Sequence, residues 1–168
     1  MPVRERRSVR VLLISPLQRV LLFKYKNTAE DGVERPCWST VGGGRPDDET
    51  IEQTALREIL EETGMSDVRL GPVVWYGEDG ERAGDGRIVF KEHFVVAHAL
   101  REVPDTGGWT DWERDQIIDI RWWTAEELRR STENIFPRNL GSLLEPILVG
   151  VYPHEPITLP PIGVETRT

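Results

Sequence analysis

Short apolar runs, broken by polar segments that carry Gly and Pro, set the outline of this chain. Val9 to Ile14 and Val20 to Lys24 have strand length, and Ser15-Pro16-Leu17-Gln18 between them predicts a turn. Asn27 to Arg35 reads as a polar loop, followed by a short strand that runs from Trp38 into Gly42-Gly43-Gly44. Val68 to Tyr76 predicts a strand, Glu78 to Gly86 a loop or long hairpin turn, and Arg87 to Leu100 a long strand alternating at Ile88, Phe90, Phe94 and Val96. Ile117 to Trp123 predicts a further strand. Helical signals lie between these runs. Thr50 and Gln53 form a T-x-x-Q capping box that starts a helix near Ile51, and Gly64 suits the left-handed position that ends it. Thr124 and Glu127 cap a short helix through Arg130, and a last helix falls between Asn139 and Val149, where Pro146 predicts a kink or a split. The class is mixed α/β. Residues 1–150 are expected to form a single domain, with 151–168 a Pro-rich tail packed on it or extending from it.

The helix after Thr50 has an apolar and an acidic side. At about 100° per residue, Ala55, Leu56, Ile59 and Leu60 fall on one broad apolar side, and Glu58, Glu61 and Glu62 fall within one arc elsewhere. Three like charges this close oppose helix formation, and Arg57 is the only cation in the segment. A hard divalent cation removes the repulsion. All-oxygen ligation suits Mg²⁺ or Mn²⁺. A solvated acidic face is the common fate of three glutamates alone. Here, however, they follow a glycine run that permits positive φ and close backbone approach, and that can offer a carbonyl to a metal or amides to a phosphate.

From Gly43 to Met65 the chain reads GGRPDDETIEQTALREILEETGM, which is G-x5-E-x7-R-E-U-x-E-E-x-G-U with U a bulky aliphatic residue. It resembles the Nudix box of the Nudix hydrolases, including bacterial MutT-like members. Chance matching of all nine specified positions at a given start is on the order of 10⁻⁹. The resemblance implies a Nudix-type α/β/α sandwich with a mixed β-sheet and a loop-helix-loop catalytic motif. It implies a Mg²⁺-dependent (or Mn²⁺-dependent) hydrolase that cleaves the diphosphate bond of a nucleoside diphosphate linked to another group, by metal-activated attack of water on phosphorus. Carried over, Glu58, Glu61 and Glu62 are metal ligands, with the Gly42 carbonyl a further candidate. Arg57 orients the glutamates, paired with one such as Glu49. The proton acceptor is Glu61 or Glu113, and Glu92 is a second acidic candidate outside the box. Two positions depart from the commonest form, Val41 in place of Pro and Asp48 in place of Gly, and both bear on loop geometry. The alternative is a catalytically silent nucleotide sensor, or an interaction module.

Twenty-nine acidic and 21 basic residues give a net charge of −8, which argues against nonspecific binding of a nucleic-acid polymer. It also means that an anionic diphosphate needs a cation to approach the carboxylates. The lone Cys37 excludes an internal disulfide and suits a reducing cytoplasm. No run reaches the length of a membrane span. Of six tryptophans, Trp38, Trp75, Trp122 and Trp123 are expected mostly in the core, and Trp109 and Trp112 are candidates for a mobile binding lip. His93, His98 and His154 show no metal-site spacing with Cys37 and read as structural. Lys24, Lys26, Arg35 and Arg45 flank the expected cleft in sequence. Homodimer formation is a further expectation drawn from the resemblance.

Overall fold

Seven strands hydrogen-bond into one mixed sheet in the computed structural model, which describes residues 2–29, 31–83 and 86–161. In chain order the elements are β1 (Val3–Ile14), β2 (Val20–Tyr25), β3 (Cys37–Gly44), α1 (Ile51–Thr63), β4 (Arg69–Ala83), β5 (Gly86–His98), α2 (Asp111–Gln116), β6 (Ile117–Trp123), α3 (Ala125–Arg130), α4 (Leu140–Leu148) and β7 (Ile157–Thr158). The sheet order is β6-β2-β3-β1-β5-β4-β7. β1 runs parallel to β5 and β7 parallel to β4, and the other pairs are antiparallel.

Strand alternation sorts the core into two layers. Val9, Val11 and Leu13 of β1 turn to one face with Phe23, Val41 and Val95, and meet Ala55 and Ile59 of α1 and Met65. Leu12 and Ile14 turn to the other face with Trp38, Phe94 and Trp123, where Leu128 of α3 and Leu140, Leu144 and Ile147 of α4 cover them. A mixed sheet between α1 on one face and α3 with α4 on the other is the expected α/β/α arrangement.

Several predicted elements are longer than their apolar runs. β1 begins at Val3 because Val3–Arg7 pairs residue by residue with Arg87–Lys91 of β5, and β3 joins β1 only from Ser8 onward. The stretch Glu78–Ala83, expected as loop, is strand. Its sequence, EDGERA, has little β preference, and the continuous ladder to β5 supplies the order. Residues 84 and 85, where the predicted turn falls, lie outside the described residues. On α1 the apolar stripe is narrower than expected: Ala55 and Ile59 are buried, but Leu56 and Leu60 are 43% and 50% exposed. The side turned to the sheet carries Glu58 and Glu62 instead. α4 runs through Pro146 without interruption. In the tail, the Leu159 amide donates to the Tyr76 carbonyl at 2.8 Å, and its side chain is buried in the same core cluster as those of α3 and α4.

Candidate functional site

The first turn of α1 is fixed by its cap. The Thr50 hydroxyl accepts from the Gln53 amide and the Gln53 side chain accepts from the Thr50 amide, at 3.1 and 2.9 Å. Gly64 ends the helix with φ 70°, its amide donating to the Leu60 carbonyl. Both ends therefore lie where the sequence set them, which fixes the rotation of the glutamates about the axis. Glu58 and Glu62 are 8% and 2% exposed and point at the end of β3. The Gly42 amide donates to Glu62 Oε2 at 3.1 Å. The Glu58 carboxylate lies against Gly43 so closely that a Cβ there would sit 2.5 Å from Oε1. Gly42 has φ 145°, and a Cβ on it would fall 2.1 Å from the Val9 carbonyl oxygen. The two glycines thus have separate reasons to be glycine: one avoids the backbone, the other makes room for a carboxylate.

Arg57 braces the cluster. Its guanidinium donates to both oxygens of Glu49 (2.9 to 3.2 Å), to Glu58 Oε1 at 2.8 Å, to Glu61 Oε2 at 3.3 Å and to the Gly44 carbonyl at 3.1 Å. Thr54 adds a hydroxyl bond to Glu49 at 2.7 Å. Arg57 and Thr54 together hold the Glu49 carboxyl below its ordinary range. The sequence-based pairing of Arg57 with Glu49 is present as drawn. Glu61 faces solvent, so the three glutamates divide into a buried pair and an outer member.

Burial dominates the electrostatics of the buried pair. It pushes the Glu58 carboxyl up; the Arg57 bond opposes this, and the charges of Glu61 and Glu113 reinforce it. Burial also pushes Glu62 well above the carboxylate range, with the Glu58 charge adding to it and the Gly42 amide and Arg10 opposing. Among the described residues, no three His, Cys, Asp or Glu side chains converge on a point suited to an ion. Arg57 occupies the carboxylates of Glu58 and Glu61 in this arrangement. The donor chemistry nonetheless suits a hard cation, because the side-chain donors are all oxygen and Glu62 has no guanidinium hydrogen-bonded to it among the described residues.

The segment before β6 closes over the C-terminal end of α1. Trp109 Nε1 donates to the Glu62 carbonyl at 2.8 Å, its ring stands edge-on to Phe23 at 5.9 Å, and the Asp105 amide donates to the Thr63 carbonyl. Trp109 is therefore an anchor, not a mobile lip. Trp112 keeps the expected exposure, at 63%, with its ring 6.4 Å from that of Tyr25. Glu113, expected in a loop, belongs to α2. Its carboxylate accepts from the Thr110 amide at 2.6 Å in a second capping box, and the T-x-x-E spacing of Thr110 and Glu113 is the local signal for it. Its charge still reaches Glu58, Glu62 and Tyr25.

Other candidates lie elsewhere. Glu92 faces the sheet side opposite α1 and accepts from Arg10 Nε at 3.0 Å and Ser8 Oγ at 3.3 Å. Lys24, Lys26 and Arg35 are each in ion pairs, with Glu133, Asp115 and Asp31. Arg45 reaches the Glu49 carbonyl at 3.0 Å. Trp38, Trp75 and Trp123 are buried, Trp122 is half-buried, and Cys37 is a half-buried free thiol. Arg10 went unread. Its signal was a charge at an inward position of an apolar strand, which calls for a buried partner.

The described chain can be set beside known proteins. A model of the NUDIX domain matches residues 4–144. A curated Mycobacterium tuberculosis (strain CDC 1551 / Oshkosh) protein described as mutator protein MutT4 is 29% identical over 132 residues, covering 76% of this chain and 49% of that protein. The chain thus spans about half the length of this curated relative. Among solved structures, a NUDIX-family hydrolase from Clostridium perfringens aligns over 88% of this chain and 99% of its own, with a TM-score of 0.61 and 16% identity. An ADP-ribose pyrophosphatase from Streptococcus suis 89-1591 aligns over 91% and 96%, with a TM-score of 0.54 and 16% identity. These two likenesses show the fold. With the family match spanning residues 4–144 and the complete box running from the end of β3 through α1, the chain belongs to the NUDIX domain family.

Proposed function

We propose that the protein is a Mg²⁺-dependent (or Mn²⁺-dependent) pyrophosphohydrolase that cleaves the diphosphate bond of a nucleoside diphosphate derivative. One observation carries this reading: two glutamates of the box, Glu58 and Glu62, are buried side by side in the end of a glycine strand. A fold gains no stability from two adjacent buried acids. Their presence is reasonable where a cation completes the site.

Glu58, Glu61 and Glu62 would hold the cation, with the Gly42 carbonyl a further oxygen donor. The bound ion supplies charge neutralisation at the diphosphate and lowers the pKa of water. The protein's own residues do the rest. Arg57 holds Glu58 and Glu61 in fixed positions and ties them to the loop through Glu49 and Gly44. Gly43 allows the Glu58 carboxylate to reach the strand. Glu61, exposed and held only at Oε2, takes the proton of the attacking water at Oε1. Glu113 adds negative charge from its cap and keeps the nearby carboxylates basic. Line-up of water and phosphorus supplies much of the remaining acceleration.

Hydrolysis of a panel of nucleoside diphosphate derivatives, with and without Mg²⁺, tests the reading. Activity is expected only with the ion. Glu62→Gln and Glu61→Gln are each expected to lower kcat by about a hundredfold or more, and Glu113→Gln by much less. Full activity in Glu62→Gln would remove Glu62 from the site. Mg²⁺-dependent nucleotide binding with the nucleotide returned intact would favour the sensor alternative.

A further inference from the structure

β3 lies in the fork between β1 and β2. Cys37–Thr40 pair with β2 from Tyr25 back to Leu22, and Val41–Gly44 pair with β1 from Val11 back to Ser8. Both ladders run away from the β1–β2 hairpin, which closes at Ile14 and Val20. Tyr25, at the end of one ladder, therefore borders the same opening as Gly42, on the other, where the Gly42 amide holds Glu62.

The end of β2 is fastened to α2 and forms a ledge with it. Tyr25 pairs with Ile117, the Lys26 amide donates to the Gln116 carbonyl at 2.9 Å, and Lys26 Nζ lies 3.3 Å from Asp115. The Tyr25 ring packs on the core layer beneath α1 and stands 6.4 Å from the ring of Trp112, tilted by 35°. The phenol is thus half-buried and backed on two sides. Among the described residues its hydroxyl has no hydrogen-bond partner, and it is not closed off in the core. Burial pushes the phenol pKa up; the charges of Glu62, Glu113 and Glu58 add to this, and Arg10 opposes it. Tyr25 is therefore a protonated donor with three carboxylates in its surroundings, and it bonds to none of them. The donor is free for another anionic group. Being uncharged, it adds no competitor for the carboxylates a cation needs.

We propose that the Tyr25 hydroxyl is a substrate contact, donating a hydrogen bond to a non-bridging oxygen of the diphosphate. The proposal rests on the hydrolase reading for the diphosphate, and on the ledge of β2 and α2 for the donor. The ring is held in advance between the core and Trp112, so little freedom is lost when the bond forms. The bond strengthens as charge builds on the phosphoryl oxygen during attack of water, which makes it worth more to kcat than to binding.

Tyr25→Phe tests this, because it deletes the hydroxyl and keeps the ring beside Trp112. The variant is expected to melt within about 2 °C of wild type and to keep the whole Mg²⁺-induced rise in Tm. Calorimetric titration with methylene diphosphonate in Mg²⁺, which has no base and cannot be hydrolysed at its bridge, is expected to show binding about three- to tenfold weaker than in wild type. The kcat for nucleoside diphosphate derivatives is expected to fall by at least about tenfold. Equal diphosphonate affinities in the two proteins would overturn the proposal, as would no measurable affinity in the wild type. A smaller Mg²⁺-induced rise in Tyr25→Phe would also overturn it, by making the hydroxyl a partner of the carboxylates. Wild-type hydrolysis separates the two readings. Hydrolysis that is equally fast in Tyr25→Phe sinks the hydroxyl alone. Weaker diphosphonate binding in the variant, with no wild-type hydrolysis of any derivative, keeps the hydroxyl and sinks the hydrolase reading.

Discussion

At the scale of single residues, the two adjacent glycines of β3 make a sharp pair of tests. Gly42→Ala drives a Cβ into the Val9 carbonyl at 2.1 Å and demands a positive φ from a side-chain residue, so neither neighbour can yield. It is expected to cost more than about 3 kcal/mol, read by urea unfolding. Gly43→Ala meets only the mobile end of Glu58, at 2.5 Å. It is expected to cost less than about 1.5 kcal/mol, yet to displace Glu58 and abolish most hydrolysis. Comparable stability losses in the two variants would contradict this assignment. Far from the site, Glu102 accepts from Ser15 Oγ and from the Arg19 guanidinium, with Arg19 Nε at 2.8 Å. The Arg19 bond is the main cause of a Glu102 pKa below its ordinary value. A depressed folded pKa gives stability that is present above the unfolded pKa of about 4.3 and is lost as pH falls through the folded value. Glu102→Gln is therefore expected to lose about 1 kcal/mol at pH 7, with the difference shrinking as pH falls below about 4.3.

At the scale of elements, the segment from Asp105 to Gln116 decides how firmly α1 is held. Trp109→Phe keeps the ring beside Phe23 but deletes the bond to the Glu62 carbonyl, and should lower stability by about 1 kcal/mol. Trp112→Ala should change it by less than about 0.5 kcal/mol, because that ring is mostly exposed. Chemical denaturation of both variants separates an anchor from a lip. This segment also shows where the sequence could be read and where it could not. The caps of α1 were legible because they depend on neighbours three residues apart, and they fixed the helix at Ile51–Thr63 with its glutamates in phase. The strand Glu78–Ala83 was not, because its order comes from pairing with β5 and not from its own residues. The exposure of Leu56 and Leu60 was not legible either. Periodicity shows that a helix has two sides, but the sheet decides which one it covers, and here it covers Glu58 and Glu62. Glu92 was seen as a carboxylate, but its face followed from strand register, which put Arg10 and Ser8 beside it.

At the scale of the molecule, cation binding and folding are linked. If the ion is held only by the folded carboxylate cluster, Mg²⁺ at about 100 times its Kd adds about 2.7 kcal/mol. For a chain of 168 residues that is a rise in Tm of about 5–10 °C. Glu62→Gln is expected to melt no lower than wild type without Mg²⁺ and to lose most of the rise with it, as measured by scanning calorimetry. An undiminished rise would place the ion elsewhere. The sheet has one further consequence, at its rim. β1 runs from Val3 but meets β3 only from Ser8, so the backbone from Val3 to Arg6 has one edge without a strand partner among the described residues. An open edge is a template on which a second copy can add its own strand and start a fibre. This one reads Val3-Arg4-Glu5-Arg6, three charges in four residues. Copies stacked in register would set each arginine against its twin, so the protein can keep a long strand there without polymerising through it.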